Sequence, residues 1–298
     1  MNNTAKTSLA NPTTNRDSLV GAFFIVLAAC MWGFIGPLSK IALKEGVAPL
    51  EIAFWRAALS TLIFGIHSGV QHRCKISTNS IVPLLGFGLI SVTVFYASYQ
   101  LAIESVGVAV AVILLYTSPV WVALLSWAVL KERVSVHRWI ATAITIAGAV
   151  CICFPDTTAG IALSPLGIIA GLMSGFSYGL YYIYGKKLLV ALPSSTVFFY
   201  ALLCGTIFLF PLVSFSSKSL AAWLAILGLA ALSTYFALLA YSEGVKRLDA
   251  SKAVIIATLE PVVGVVVACY FFDETLTMQG WIGATLIVGA VMYTGCKD

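Results

Sequence analysis

The chain has 298 residues, of which 60 % are hydrophobic and only 10 % charged, with a net charge of +5. Soluble domains carry about a quarter charged residues, and a soluble globule of this length could not hide so much apolar surface. The composition excludes a disordered chain, a nucleic-acid-binding domain and a disulfide-stapled secreted module, and leaves a protein built mostly of membrane-spanning segments.

A helix needs about 20 apolar residues to cross the hydrocarbon of a bilayer. Ten runs qualify, at 19–43, 50–70, 81–101, 107–130, 136–154, 165–185, 194–214, 219–241, 250–272 and 278–296. Residues 1–18 are polar and read as a disordered tail. The first run is too long for a cleavable leader and lacks a small-residue cleavage pattern, so it is expected to stay as span one. Pro49, Pro83, Pro165 and Pro193 fall near helix starts, where a missing N–H costs little, and Pro155 follows a helix end. Pro37, Pro119, Pro211 and Pro261 fall inside spans and are expected to kink them.

Charge sets the orientation. With ten spans, the tail, the even-numbered loops and the C-terminus hold 12 basic residues, and the odd-numbered loops hold 2, Lys44 and Lys218. That split puts both termini in the cytoplasm. The seven cysteines are spread mostly through apolar runs and do not form a disulfide framework. Cys151 and Cys153 are two apart, so they point away from each other on a helix, and no metal site is expected. His67, His72 and His137 read as interfacial polar residues.

The chain resembles itself at a shift of about 142 residues. Ser118-Pro119 falls on Glu260-Pro261, the stretch from Lys131 to Ser135 falls on Asp273 to Thr277, and Trp139 falls on Trp281. Near the start the shift is 146, so that Trp32-Gly33 meets Tyr178-Gly179 and Lys40 meets Lys186. Five spans per half is an odd number, so the second half must enter the membrane inverted. Inverted repeats mark secondary transporters, with the substrate near the midplane between the halves.

These pieces also carry a resemblance. Trp32-Gly33 with Lys40, Arg56, Ser118-Pro119 followed by Lys131-Glu132-Arg133, Glu260-Pro261 followed by Glu274, and the closing stretch Gly283–Gly289 resemble the drug/metabolite transporter superfamily in its ten-helix EamA-type branch. The chain is similar there to bacterial amino-acid exporters, including aromatic amino-acid exporters. The resemblance implies an all-α fold with a cytoplasmic tail (1–18), a first five-helix repeat (19–154) and a second, inverted one (165–296) around a central cavity. It implies alternating access with no ATP site and no cofactor. Ten helices around one cavity suffice for a monomer.

Glu260 is the sharpest single residue. It lies about 15 Å into span nine, near mid-bilayer, where a bare carboxylate costs about 3 kcal/mol or more. Two readings stand: a cavity-lining group that contacts substrate or carries a proton, and a structural group bonded to backbone freed by Pro261. Ser118 is its counterpart in the first half. Trp32, Tyr96, Tyr116, Tyr178 and Tyr235 lie deep, and aromatic side chains with polar tips suit a cavity for an amphipathic solute; Tyr99 and Gln100 lie farther out. Tyr184, Trp139, Trp223 and Trp281 read as interfacial belts. Lys40 and Arg56 can pair with Glu45, Glu51 or Glu104, or gate an anionic substrate group. Lys252 can snorkel to the interface or join such a pair.

Gly167, Gly171, Gly175 and Gly179, each four apart, form a ridge for close helix packing. Gly175 to Gly179 matches the hydrolase elbow G-x-S-x-G, but no strand precedes it and no histidine follows Ser177. Phosphate-loop, zincin and redox C-x-x-C motifs are absent. The sequence therefore points to a transporter that exports small metabolites across a bacterial inner membrane, neutral and aromatic amino acids favoured. Drugs, sugar-phosphates and nucleotide-sugars are alternative cargo. A channel or a membrane enzyme acting on a lipid-linked substrate is the alternative of another class.

Overall fold

A computed structural model describes residues 15–73, 75–132, 134–153, 164–272 and 277–297. Among them the chain is helical without strands. In order come α1 (Asn15–Trp32), α2 (Ile35–Lys44), α3 (Pro49–Val70), α4 (Thr78–Gly88), α5 (Phe95–Leu115, two helical pieces joined at Gly107, whose φ of 82° and ψ of 163° are not helical), α6 (Ser118–Leu125), α7 (Val136–Cys153), α8 (Pro165–Ala191), α9 (Ser194–Leu209), α10 (Leu220–Ala230), α11 (Ala237–Val245), α12 (Ala250–Ala257), α13 (Leu259–Phe272) and α14 (Met278–Lys297). Three π-helical segments join them: Leu89–Val94, Ser126–Leu130 and Ala231–Phe236.

Among the described residues, eight helical stretches are long and apolar enough to cross a membrane: Arg16–Lys44, Pro49–Val70, Thr78–Ile103, Val110–Leu130, Pro165–Ala191, Ser194–Leu212, Leu220–Val245 and Ala250–Phe271. Val136–Ile152 is a shorter apolar helix, and α14 packs along it. Helix is the form these runs must take, because lipid offers no partner to an unpaired backbone group. The expected starts hold within a few residues. An exception is the first helix, which already begins at Asn15, inside the segment read as a disordered tail; residues 1–14 of that tail lie outside the described residues.

The proline kinks take a more specific form. A proline ring clashes with the carbonyl four residues earlier. For Pro37, Pro119 and Pro261 that carbonyl belongs to Gly33, Leu115 and Ala257, where α1, α5 and α12 end. Each expected kink is thus a turn of one or two residues that divides one membrane-length run into two α-helical pieces. Pro211 closes α9 with a 3-10 turn, Phe210–Leu212. α8 carries Ile183 at the place that corresponds to Pro37 and runs unbroken for 27 residues through Gly179.

The main packing pairs are α5 on α8, α7 on α14, α3 on α9 and α1 on α11. The glycine ridge does what its spacing indicates. A Cβ on Gly175 would sit 2.7 Å from the Leu114 carbonyl oxygen, and one on Gly179 would sit 2.8 Å from Trp121 Cβ. α7 and α14 meet the same way, with a Cβ on Gly148 only 2.7 Å from the Gly283 carbonyl oxygen. The outer surface is apolar, with Leu62, Ile66, Ile169, Leu220 and Tyr270 all well exposed, as lipid contact requires. Cys30, Cys151, Cys204 and Cys269 are free thiols.

Candidate functional site

The turn between α1 and α2 packs against α13. A Cβ on Gly33, between α1 and α2, would meet Val263 Cγ1 at 2.6 Å and the Gly264 nitrogen at 3.0 Å, so only glycine permits this approach. Glu260 lies one turn before Gly264, in the first turn of α13, where the helix dipole attracts a negative group. It is half-buried and has no hydrogen-bonded or ion-paired partner among the described residues. It lies within electrostatic reach of Arg56, Tyr178 and Tyr182.

Arg56, on α3, does not pair with Glu45 or Glu51. Its Nε donates to Thr234 Oγ1 at 2.6 Å and its Nη2 to the Ser233 carbonyl oxygen at 3.4 Å. Its guanidinium lies 5.7 Å from the centre of the Tyr96 ring. Arg56 and Glu260 therefore sense each other's charge without touching.

Aromatic rings connect the two. Phe95 packs against Tyr96, Tyr99 and Tyr178 with centroid separations of 5.3, 6.2 and 5.4 Å. Tyr178 meets Tyr181 at 6.0 Å and Tyr182 at 5.4 Å, and both meet Tyr241. Trp32 closes the chain of rings on Tyr241 at 5.8 Å. Tyr116, buried at the break after α5, lies within electrostatic reach of Tyr178. The hydroxyls of Tyr181, Tyr241 and Ser118 are buried and have no partner among the described residues. Such groups are costly unless something polar reaches them.

The structure thus gathers Trp32, Arg56, Tyr96, Tyr99, Tyr116, Tyr178 and Glu260 into one cluster, with Ser118 beside Gly179 at its edge. Tyr235 stands apart: its hydroxyl bonds His67 Nδ1, three turns along α3 from Arg56, at 3.0 Å, and its ring packs on Phe64. Lys252 does not snorkel. It is 5 % exposed, and its Nζ donates to Ser18 Oγ at 3.3 Å. Lys40 is half-buried on α2. The side chain of Glu104 and the whole of Glu274 lie outside the described residues. Trp223 packs 4.9 Å from Trp55, with Lys218 beside both rings. Tyr184 packs edge-on against Phe87.

Sequence reasoning missed Phe95, Tyr181, Tyr182, Thr234 and Tyr241. The spacing of Tyr178, Tyr181 and Tyr182 puts them on one helix face, a signal that was available. Nothing local marks Thr234 or Tyr241. Among the described residues no cluster of metal-ligating side chains occurs.

Comparison with known proteins gives this geometry its context. A family model described as the EamA-like transporter family matches residues 19–154 and 165–296. An uncharacterized transporter of Archaeoglobus fulgidus is 29 % identical, over 91 % of this chain and 95 % of that one. The uncharacterized transporter YwfM of Bacillus subtilis is 24 % identical over 90 % of each. A probable terminal-alkyne amino-acid exporter of Streptantibioticus cattleyicolor is 23 % identical over 90 % of this chain and 91 % of that one. A crystal structure superposes with a TM-score of 0.77 at 18 % identity, covering 94 % of this chain and 96 % of the other, which speaks to the fold. With both halves matched, the chain belongs to the EamA-like transporter family of the drug/metabolite transporter superfamily and is a multi-pass membrane transporter.

Proposed function

We propose that this protein exports small zwitterionic, amphipathic metabolites across a bacterial inner membrane, with neutral and aromatic amino acids as the favoured cargo. The observation that carries this reading is the placement of Arg56 and Glu260. They are opposite charges in the membrane interior, close enough to interact yet unpaired, with an aromatic cluster between them. A buried charge left without a partner is costly. A ligand that brings a carboxylate to one and an ammonium to the other neutralises both, and the rings receive an apolar side chain. A polyanionic cargo such as a nucleotide-sugar would face Glu260 unfavourably. The amino-acid exporter among the relatives supports the same class.

Two inverted five-helix halves, with the N- and C-termini in the cytoplasm, supply the alternating access. The π-helical segments Leu89–Val94 and Ala231–Phe236 lie 142 residues apart, the shift at which the two halves of the sequence match. α3 packs on α9 and α7 on α14, second span against second span and last against last. The 12-to-2 split of basic residues supports the orientation. Glu260, Trp32, Tyr96, Tyr99, Tyr116, Ser118 and Tyr178 form the substrate site, and Pro119 and Pro261 hold its broken helices. One chain suffices.

The test is flux in proteoliposomes across a panel of amino acids, their amides and their deaminated acids. Saturable transport of the zwitterions, reduced for both analogue sets, supports the reading. Equal transport of all three, or none, removes it.

A further inference from the structure

Arg56 is restrained along one edge, beside an aromatic ring. A guanidinium has two edges that can each donate a parallel pair of hydrogen bonds. The Nε/Nη2 edge is taken by Thr234 Oγ1 at 2.6 Å and the Ser233 carbonyl oxygen at 3.4 Å. The guanidinium carbon lies 5.7 Å over the Tyr96 ring. The Nη1/Nη2 edge keeps donors that have no partner among the described residues.

The orientation of Thr234 is itself fixed. Its hydroxyl donates to the Leu229 carbonyl oxygen, five residues earlier, at 2.9 Å. With its only proton committed there, Oγ1 can meet Arg56 only as an acceptor. The five-residue reach follows from the π-helical turn Ala231–Phe236. That turn is anchored in its own right, because Ser233 Oγ donates to the Met31 carbonyl oxygen at 2.8 Å, next to Trp32. A straight α-helix would rotate Thr234 away from α3.

We propose that Thr234 is a positioning residue that turns Arg56 into a one-sided carboxylate receptor, so that the ligand beside Tyr96 must carry a planar two-oxygen acid group. This rests on the export of zwitterions argued above and assigns the end of the ligand that docks at α3. Restraint matters because a free arginine loses side-chain entropy on capturing an anion, whereas a clamped one presents its fork already aimed.

The test uses the purified full chain in nanodiscs and two probes: phenylpropionate, a ring with a carboxylate, and phenethylamine, a ring with an ammonium. Thr234→Val keeps the shape of the side chain and removes the hydroxyl. Phenylpropionate affinity is expected to fall about tenfold, the worth of one hydrogen bond to a charged group, with phenethylamine unchanged. Thr234→Ser restores the hydroxyl and is expected to restore carboxylate affinity. If Thr234→Val does not fold, Arg56→Lys serves, since it keeps the charge but loses the fork and is expected to weaken phenylpropionate binding by a similar factor. Unchanged carboxylate affinity in these variants, equal loss for both probes, or no phenylpropionate binding by the wild type overturns the proposal. Carboxylate binding that follows Thr234 without flux of any amino acid sustains it and removes the export reading. Amino-acid flux indifferent to Thr234→Val does the reverse.

Discussion

Lys186, near the end of α8, donates to Glu132 Oε1 at 2.6 Å and to the Leu248 carbonyl oxygen at 2.9 Å. Glu132 Oε2 accepts from the Ala250 nitrogen at 3.2 Å, which ties the start of α12 to the same pair. Alongside it Arg138 bonds Asp249 at 2.8 Å and Ser251 Oγ at 3.0 Å. One end of the bundle is thus tied across both halves. Both side chains of the Glu132–Lys186 pair are only 12 % exposed, so removing one partner leaves a largely buried charge, a loss of about 3 kcal/mol. Glu132→Gln and Lys186→Met are each expected to lower thermal stability and transport. The exchange Glu132→Lys with Lys186→Glu is expected to recover part of both, and a double-mutant cycle on melting and flux measures the coupling.

A second buried pair braces the opposite end. Glu51 and Lys218 form an ion pair, with side-chain exposures of 1 % and 4 %. Lys218 Nζ lies 5.2 Å from the Trp55 ring and 5.4 Å from the Trp223 ring. Without Lys218, Glu51 keeps donors from Ser216 N at 3.2 Å and Ser216 Oγ at 2.7 Å. Without the carboxylate, Lys218 keeps the Ser216 carbonyl oxygen at 2.7 Å and two rings. Glu51→Gln is therefore expected to cost more than Lys218→Met, about 3 kcal/mol against about half that. Thermal unfolding of the purified variants checks the order.

Glycine substitutions separate packing from conformation. A Cβ on Gly289, in α14, meets nothing within 4 Å, whereas one on Gly175 meets backbone at 2.7 Å. Gly289→Ala is expected to stabilise the protein by up to about 1 kcal/mol through helix propensity. Gly175→Ala is expected to push α8 off α5 and lower expression and melting temperature. Equal behaviour of the two would contradict the ridge packing.

Much of this was legible in the sequence because bilayer thickness imposes one length on every run, and because the proline positions fix where helices break. The split at Gly33 follows from Pro37 and the continuity of α8 from its absence at Ile183. The pairings were not legible. Glu51 finds its Ser216 partner 165 residues away, and Arg56 finds Thr234 at a separation of 178. The π-helical turns have no composition signature, so the rotation that aims Thr234 at Arg56 and Tyr235 at His67 becomes visible only in three dimensions. The cluster of Tyr178, Tyr181 and Tyr182 was half visible through its spacing. Tyr241 needed the packing of α11.

Glu260 and Arg56 are expected to act on different ends of the cargo. Glu260→Gln should remove the preference for phenylalanine over phenylpropionate while leaving carboxylate binding in place, and Arg56→Gln should do the converse with phenethylamine. Competition between each analogue and labelled phenylalanine reads this directly. A Glu260→Gln variant that transports phenylalanine as the wild type does would make Glu260 a structural residue of the break before Pro261.

The most direct measurement is counterflow of labelled phenylalanine in proteoliposomes that contain only this protein. The expected result is saturable exchange that unlabelled amino acids compete for, that falls at least tenfold in Arg56→Gln and Glu260→Gln together, about 1.4 kcal/mol or more, and that needs no ATP. Absence of saturable exchange for every amino acid tested, with the protein folded and correctly inserted, would contradict it.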